Sequence, residues 1–139
     1  ARFAETDIAI FSAAVADYTP KEPFKGKIKK SETGSAMNIE LVSTRDILGS
    51  AGSMKKSGQI LIGFALESSN ELENAKKKLA EKHCDMIVLN SANKERSGFG
   101  GDDNTITLVY SDAPPVPYPA MTKKMCADLI INKIAEMSI

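Results

Sequence analysis

The chain has 139 residues, 42% of them hydrophobic and 26% charged, with 18 basic side chains balancing 18 acidic ones. This profile fits one compact globular domain with a single sizeable core. A formal net charge of zero gives no overall pull toward nucleic acid or membrane, and no apolar run approaches the ~20 residues that cross a bilayer.

The opening ARFAETDIAIF lacks the basic region, apolar stretch and cleavage site of a secretory signal, so a cytoplasmic location is expected. DIAIF (7–11) is a short, β-branched apolar run and predicts a buried strand. Residues 12–30 carry Pro20, Pro23 and Gly26 and predict a long loop, a kind of segment that is functional or disordered when it occurs inside a compact domain. MNIELV (37–42) alternates as a half-buried strand does. Ser43 or Thr44 can cap a following helix, with Asp46 in its first turn, that runs to about Lys56 and ends at Gly58. QILIGFAL (59–66) predicts a second buried strand. Asn70 with Glu73 makes a capping pattern for a helix over 71–82 whose stripe is Leu72, Ala75 and Leu79. DMIVLN (85–90) predicts a third buried strand, and TITLVY (105–110) one with a wetter face. Pro114, Pro115, Pro117 and Pro119 break the chain. From Thr122 a last helix places Met125, Cys126, Leu129, Ile130, Ile134 and Met137 on one side.

The segment 59–90 reads as strand–helix–strand, which implies parallel strands and a right-handed crossover. The fold class expected is therefore α/β with a mostly parallel sheet and flanking helices. The chain opens almost directly on a core strand, and no GxGxxG occurs, so the N-terminal portion of the domain is expected to be missing. Cys84 and Cys126 have 41 residues between them and no CxxC or Cys/His spacing, and His83 is the only histidine. That pattern favours buried structural thiols over a disulfide, a zinc site or a Cys/His nucleophile.

Ligands of open parallel sheets bind outside the carboxyl ends of the strands. Three places qualify. After the first strand, Phe11, Ser12, Ala13 and Ala14 are small enough to let a ligand approach the backbone. Asp17 either accepts hydrogen bonds from a ribose or base, or caps the loop. Residues 21–30 hold Lys21, Lys25, Lys27, Lys29 and Lys30 against one acid, Glu22. Such a run is either a solvated loop or a cationic flap for phosphates, whose negative charge grows at the transition state. At the third place, Phe64 is a stacking ring or a core side chain, and Lys78 and Lys82, spaced i, i+4, share a helix face. Asp102, Asp103 and Asn104 after Gly100 and Gly101 read as a tight turn in preference to a metal site.

AAVADYTP followed by KGKIKK resembles the signature of the phosphopantothenate–cysteine ligase (phosphopantothenoylcysteine synthetase) domain. STRDILGSAG, IGFALES, KLAEKHCDMIVLN and GFGGDDNTITLV continue the resemblance in order over nearly the whole chain, as the C-terminal part of one such domain. The resemblance implies a Rossmann-like fold and a homodimer. It implies ligation of 4′-phosphopantothenate to cysteine through an acyl-nucleotidyl intermediate, with CTP favoured over ATP, magnesium required and no FMN in this part. It places Phe11, Ser12, Ala13 and Asp17 at the nucleotide and Lys27, with Lys30 beside it, on phosphate charge. Arg45, Asp46, Ile47 and Leu48 would meet cytosine and ribose, Phe64 would pack on the nucleotide, and Lys78 and Lys82 would point toward the phosphates. The sequence departs from the family pattern at Arg45 (often Pro), Leu66 (often Ala) and Ser91 (often Asp). The family's glycine-rich first turn and the asparagine tied to conversion of the intermediate fall outside these residues, so the 139-residue chain alone is expected not to complete the reaction. The alternative is a non-catalytic nucleotide-binding or dimerisation fragment of that ligase. A nicotinamide-dependent enzyme is disfavoured by the absent GxGxxG.

Overall fold

The computed structural model describes residues 2–29, 35–91 and 102–137. The chain divides into two units, Ala1–Ser12 with Leu48–Ile139 and Ala13–Ile47. Among the described residues the strands are β1 (Ile8–Phe11), β2 (Tyr18–Pro20), β3 (Leu41–Ser43), β4 (Ile60–Glu67), β5 (Met86–Ser91), β6 (Asp103–Asn104), β7 (Ile106–Tyr110), β8 (Val116–Pro117) and β9 (Met121–Thr122). The helices are α1 (Ile47–Met54), α2 (Glu71–Glu81) and α3 (Lys123–Met137).

The first unit is built on a sheet of order β1-β4-β5-β7-β8. β4 and β5 are almost wholly apolar because helices cover both faces, and they pair in parallel from Ile62↔Met86 to Glu67↔Ser91. α2 is the crossover between them. β1 joins β4 in parallel, with Ile8 opposite Ile60 and Phe11 opposite Gly63. β7 and β8 then add antiparallel strands. Pro117 falls on the edge strand, where its missing N–H breaks no ladder. The fold is therefore a Rossmann-like α/β sheet whose central strands are parallel, and the wetter strand at 106–110 is one of the antiparallel additions.

Alternation along the strands sorts the core into two faces. Leu61, Ala65, Ile87, Leu89 and Val109 pack with Ala51 of α1 and Ala75 and Leu79 of α2. Ile62, Met86, Val88, Ile106 and Leu108 pack with Cys126, Ile130 and Ile134 of α3. Both cysteines are free and buried, as their spacing implies. Burial, followed by the nearby Asp103 carboxylate, pushes the Cys126 thiol above its ordinary range. Burial, then the neighbouring Tyr118, does the same for the Tyr110 phenol.

Several expectations need correction. β1 is an edge strand, and Ile8 and Ile10 are 43% and 40% exposed where a buried strand was expected. Asn70 adopts a left-handed φ of 46° with no side-chain cap, so the capping pattern with Glu73 does not form. Leu72 and Met125 lie outside their helix stripes and are exposed. α1 begins at Ile47 with Asp46 just ahead of it, while the Thr44 hydroxyl donates to the Ala16 carbonyl at 2.5 Å instead of capping the helix. Asp103–Asn104 is no turn but a short strand paired with β9.

α2 closes with a left-handed residue, His83, at φ 51°. The His83 N–H reaches the Ala80 carbonyl and the Cys84 N–H the Leu79 carbonyl, the paired bonds of a Schellman ending. This ending seats α1. A Cβ on Gly52 would lie 1.9 Å from the Lys82 carbonyl oxygen, so only glycine allows α1 so close to the turn. Beside it, Lys55 Nζ donates to Asp85 Oδ1 at 2.6 Å, and Asp85 Oδ2 accepts the Leu61 N–H at 2.7 Å.

The second unit has β2 and β3 as an antiparallel pair, Tyr18 opposite Ser43 and Pro20 opposite Leu41. The Lys21 N–H donates to the Glu40 carbonyl at 3.0 Å and its ammonium to Glu40 Oε1 at 2.8 Å. The segment expected as a half-buried strand over 37–42 is regular only from Leu41, and β3 is exposed on both faces.

Because the obstacle at Gly52 is backbone, Gly52→Ala is expected to cost about 3 kcal/mol of stability. Urea unfolding followed by circular dichroism checks this, and an unchanged midpoint would contradict the close approach.

Candidate functional site

β1, β4 and β5 are parallel, so their carboxyl ends point toward one edge of the sheet, with β1 ending opposite Gly63 and β4 and β5 running on to Glu67 and Ser91. Phe11 ends β1 there, and Ser12 follows it, exposed. Phe11 and Leu48 each pack against the α1/α2 face of the core. Gly63 makes room for Leu48 and Ile87: a Cβ at this position would stand 2.8 Å from Leu48 Cδ2 and 2.7 Å from Ile87 Cδ1. A glycine inside a buried strand marks such an approach.

Phe64 points the other way. Alternation puts it with the α3 cluster, half-buried against Ile62 and Met86. Lys78 and Lys82 part company despite their shared helix face. Lys78 Nζ lies 3.5 Å from Glu67 Oε1, at the carboxyl end of β4. Lys82 caps the far end of α2, its N–H bonded to the Lys78 and Ala80 carbonyls and its own carbonyl set against Gly52.

Two carboxylates organise this edge. Asn74 Nδ2 donates to Glu67 Oε2 at 3.1 Å and to the Ser69 carbonyl at 3.0 Å. The buried Ser91 hydroxyl donates to Glu71 Oε1 at 2.5 Å. Sequence reasoning passed over Glu67, Asn74 and Gly63. The available signals were a lone acid ending an apolar strand, an amide one helical turn ahead of Lys78, and glycine in the middle of a core run. A shallow cleft of about 370 Å³, lined by Glu71, Leu72, Leu89, Thr107, Pro115 and Pro117, opens beside α2 and shares no residue with the candidate nucleotide set.

In the second unit Ala13, Asp17, Lys27, Arg45, Asp46 and Ile47 are all exposed. The Asp17 carbonyl accepts the Thr44 N–H at 2.9 Å, which ties the start of the loop to the end of β3. Gly26, at φ 125°, supplies the left-handed turn between Lys25 and Lys27. Lys30 lies outside the described residues, as do Gly100 and Gly101. Among the described residues no three His, Cys, Asp or Glu side chains gather to hold a metal ion, and no helix is long and apolar enough to cross a membrane.

The fold and the position of this edge define a Rossmann-like α/β domain with its candidate groups at the carboxyl ends of parallel strands. Residues 1–137 match the model of the DNA/pantothenate metabolism flavoprotein C-terminal domain, and the chain belongs to that family. It is 45% identical over 132 residues to a cysteine/cysteine sulfinic acid decarboxylase of an unknown prokaryotic organism, covering 95% of this chain and 36% of that protein. It is 43% identical over 133 residues to the coenzyme A biosynthesis bifunctional protein CoaBC of Bacillus subtilis, covering 96% of this chain and 32% of that one. The chain thus spans about a third of these relatives' length. A crystal structure of the C-terminal domain of a coenzyme A biosynthesis bifunctional protein CoaBC superposes with a TM-score of 0.73 at 36% identity, covering 98% of this chain and 57% of that one.

At Gly63 both obstacles are ends of flexible side chains, so Gly63→Ala is expected to fold with a loss of about 1–2 kcal/mol and to displace the Leu48 side chain. Thermal unfolding and the methyl resonances of Leu48 check this, and an unmoved Leu48 would contradict the packing described.

Proposed function

We propose that the chain is part of a ligase that joins 4′-phosphopantothenate to cysteine at the expense of CTP, in coenzyme A biosynthesis in the cytoplasm. The observation that carries this reading is the family match over residues 1–137 together with 43% identity to the Bacillus subtilis CoaBC protein. The ordered motifs from AAVADYTP to GFGGDDNTITLV support it independently.

In this reading the pantothenate carboxylate attacks the α-phosphorus of CTP and pyrophosphate leaves. The cysteine amine then attacks the acyl carbon, an amide forms and CMP departs. Lys27 is the group assigned to the charge that grows on phosphorus, and its exposure on a loop fits a mobile ammonium. Lys30 is its assigned neighbour. Ser12 offers a nucleotide a small, exposed side chain beyond β1, Phe11 and Leu48 are assigned to its apolar surroundings, and Phe64 offers a ring on the opposite face. Ala13, Asp17, Arg45, Asp46 and Ile47 are assigned to base and ribose by the family resemblance, and Lys78 and Lys82 to the phosphates. With no cage of three ligands among the described residues, magnesium in this scheme arrives on the triphosphate. The relatives are longer, so complete turnover is assigned to these residues together with the rest of the domain. A homodimer belongs to the same proposal, with the exposed β2–β3 pair as the surface offered.

Calorimetric titration tests the reading directly. CTP is expected to bind the chain in the micromolar to low millimolar range, and Lys27→Ala is expected to weaken it by about tenfold, the loss of one charge-assisted contact. Absence of CTP binding at millimolar concentration would favour a non-catalytic fragment.

A further inference from the structure

Two ion pairs in the first unit are similarly shielded but differ in kind. Lys55–Asp85, with side chains 22% and 26% exposed, closes to 2.6 Å. Lys78–Glu67, at 34% and 20%, stands at 3.5 Å, beyond a good N–H···O bond. The carboxylate of the second pair is nevertheless fixed. It ends β4 in register with Ser91, and Asn74, itself anchored on the Ser69 carbonyl, donates to its other oxygen. Glu71 lies close by, with the Ser91 hydroxyl as its partner. Glu67 is therefore a held anion, and Lys78 is a loosely held cation on a long stem at the carboxyl edge of the sheet.

We infer that Glu67 is a positioning residue, the resident counter-ion of Lys78, which it releases to an incoming phosphate and takes back when the phosphate leaves. The inference rests on the proposed assignment of Lys78 to the phosphates of a nucleotide. A pair at 3.5 Å gives up little when the lysine changes partner, because partly solvated ion pairs contribute weakly. While the phosphate is bound, the fixed carboxylate competes with it for the lysine, so binding is weaker than an unpaired lysine would make it. Pyrophosphate, which carries the highest charge of the products, is the ligand most affected. The pair would thus favour release after the activation step.

The test is calorimetry of inorganic pyrophosphate, CTP and cytidine with wild type, Glu67→Gln, Lys78→Ala and the double variant, without magnesium. Glutamine keeps the size of the side chain and an oxygen for Asn74. Glu67→Gln is expected to tighten pyrophosphate and CTP by about three- to tenfold while leaving cytidine unchanged. Lys78→Ala is expected to weaken both anions, and to abolish most of the gain from Glu67→Gln. Should Glu67→Gln melt out in a thermal scan, Glu67→Thr, equally uncharged and suited to a strand end, gives the same comparison.

A purely structural role would weaken or leave unchanged all three ligands. If Lys78→Ala weakens the anions while removal of the Glu67 charge does not tighten them, the counter-ion role fails and the nucleotide reading stands. A full gain that persists without Lys78 also overturns the role, since it would reflect general repulsion. If Lys78→Ala has no effect although CTP binds, the phosphate assignment of Lys78 falls and this inference with it. If no anion binds to wild type, the nucleotide reading itself is refuted and the inference falls for that reason.

Discussion

The carboxylate of Asp85 ties the first unit together. It stands where α2's closing turn delivers the chain into β5, and its two oxygens reach in different directions. One takes the Lys55 ammonium that follows α1, and the other takes the Leu61 N–H of β4. Its backbone joins in, donating to the Leu61 carbonyl and accepting from the Ser111 N–H after β7. One residue thus fixes the register of two parallel strands, the entry of an antiparallel one and the seat of a helix. Leaving any of these partly buried partners unmet would cost about 1–3 kcal/mol, so the arrangement is strongly specified. Gly52 completes it, since the helix that carries Lys55 can come so close only without a side chain there.

That constraint at the amino ends of the parallel strands determines what is available at their carboxyl ends. With β1, β4 and β5 held in register, Glu67 and Ser91 finish side by side, and Phe11 ends β1 earlier, opposite Gly63. α2 begins at the same edge with Glu71 and Asn74 in its first turn, and Lys78, in its last turn, reaches back to Glu67 on its long stem. The charges are disposed unequally. The carboxylates are anchored by an amide and a hydroxyl, whereas the lysine is held by charge alone. An edge of this kind suits an anionic ligand that must both arrive and leave. The opposite edge, with Asp85 and Lys55 tightly closed, offers no such exchange.

Much of this was legible in the sequence. The continuous apolar runs ILIGFAL and MIVL, joined by a helix with Ala75 and Leu79 on one face, could pack only as buried parallel strands with a crossover. The free, buried cysteines followed from their spacing. What escaped was decided by tertiary context. β1 has the composition of a core strand, yet its place at the end of the sheet order leaves Ile8 and Ile10 exposed, and strand order is not encoded in local pattern. Asn70 has the right residue type for a cap, but its left-handed backbone turns the side chain away from the first helical N–H groups. Phe64 is turned to the α3 face by an alternation that the sequence does show, whereas the partnership of Lys78 with Glu67 depends on how the crossover folds back. The family resemblance brought Lys78 forward and left Glu67 unnoticed, because a motif singles out residues without the contacts that folding gives them.

Amide chemical-shift mapping of the isotopically labelled chain during a CTP titration tests most directly the claim that the carboxyl edge of the parallel strands receives the nucleotide. The account predicts that the large perturbations in the first unit fall on Ser12, Leu48, Ser68 and the face of α2 that carries Asn74 and Lys78. Perturbations confined to the other edge, around Gln59, Asp85 and Ser111, would contradict it.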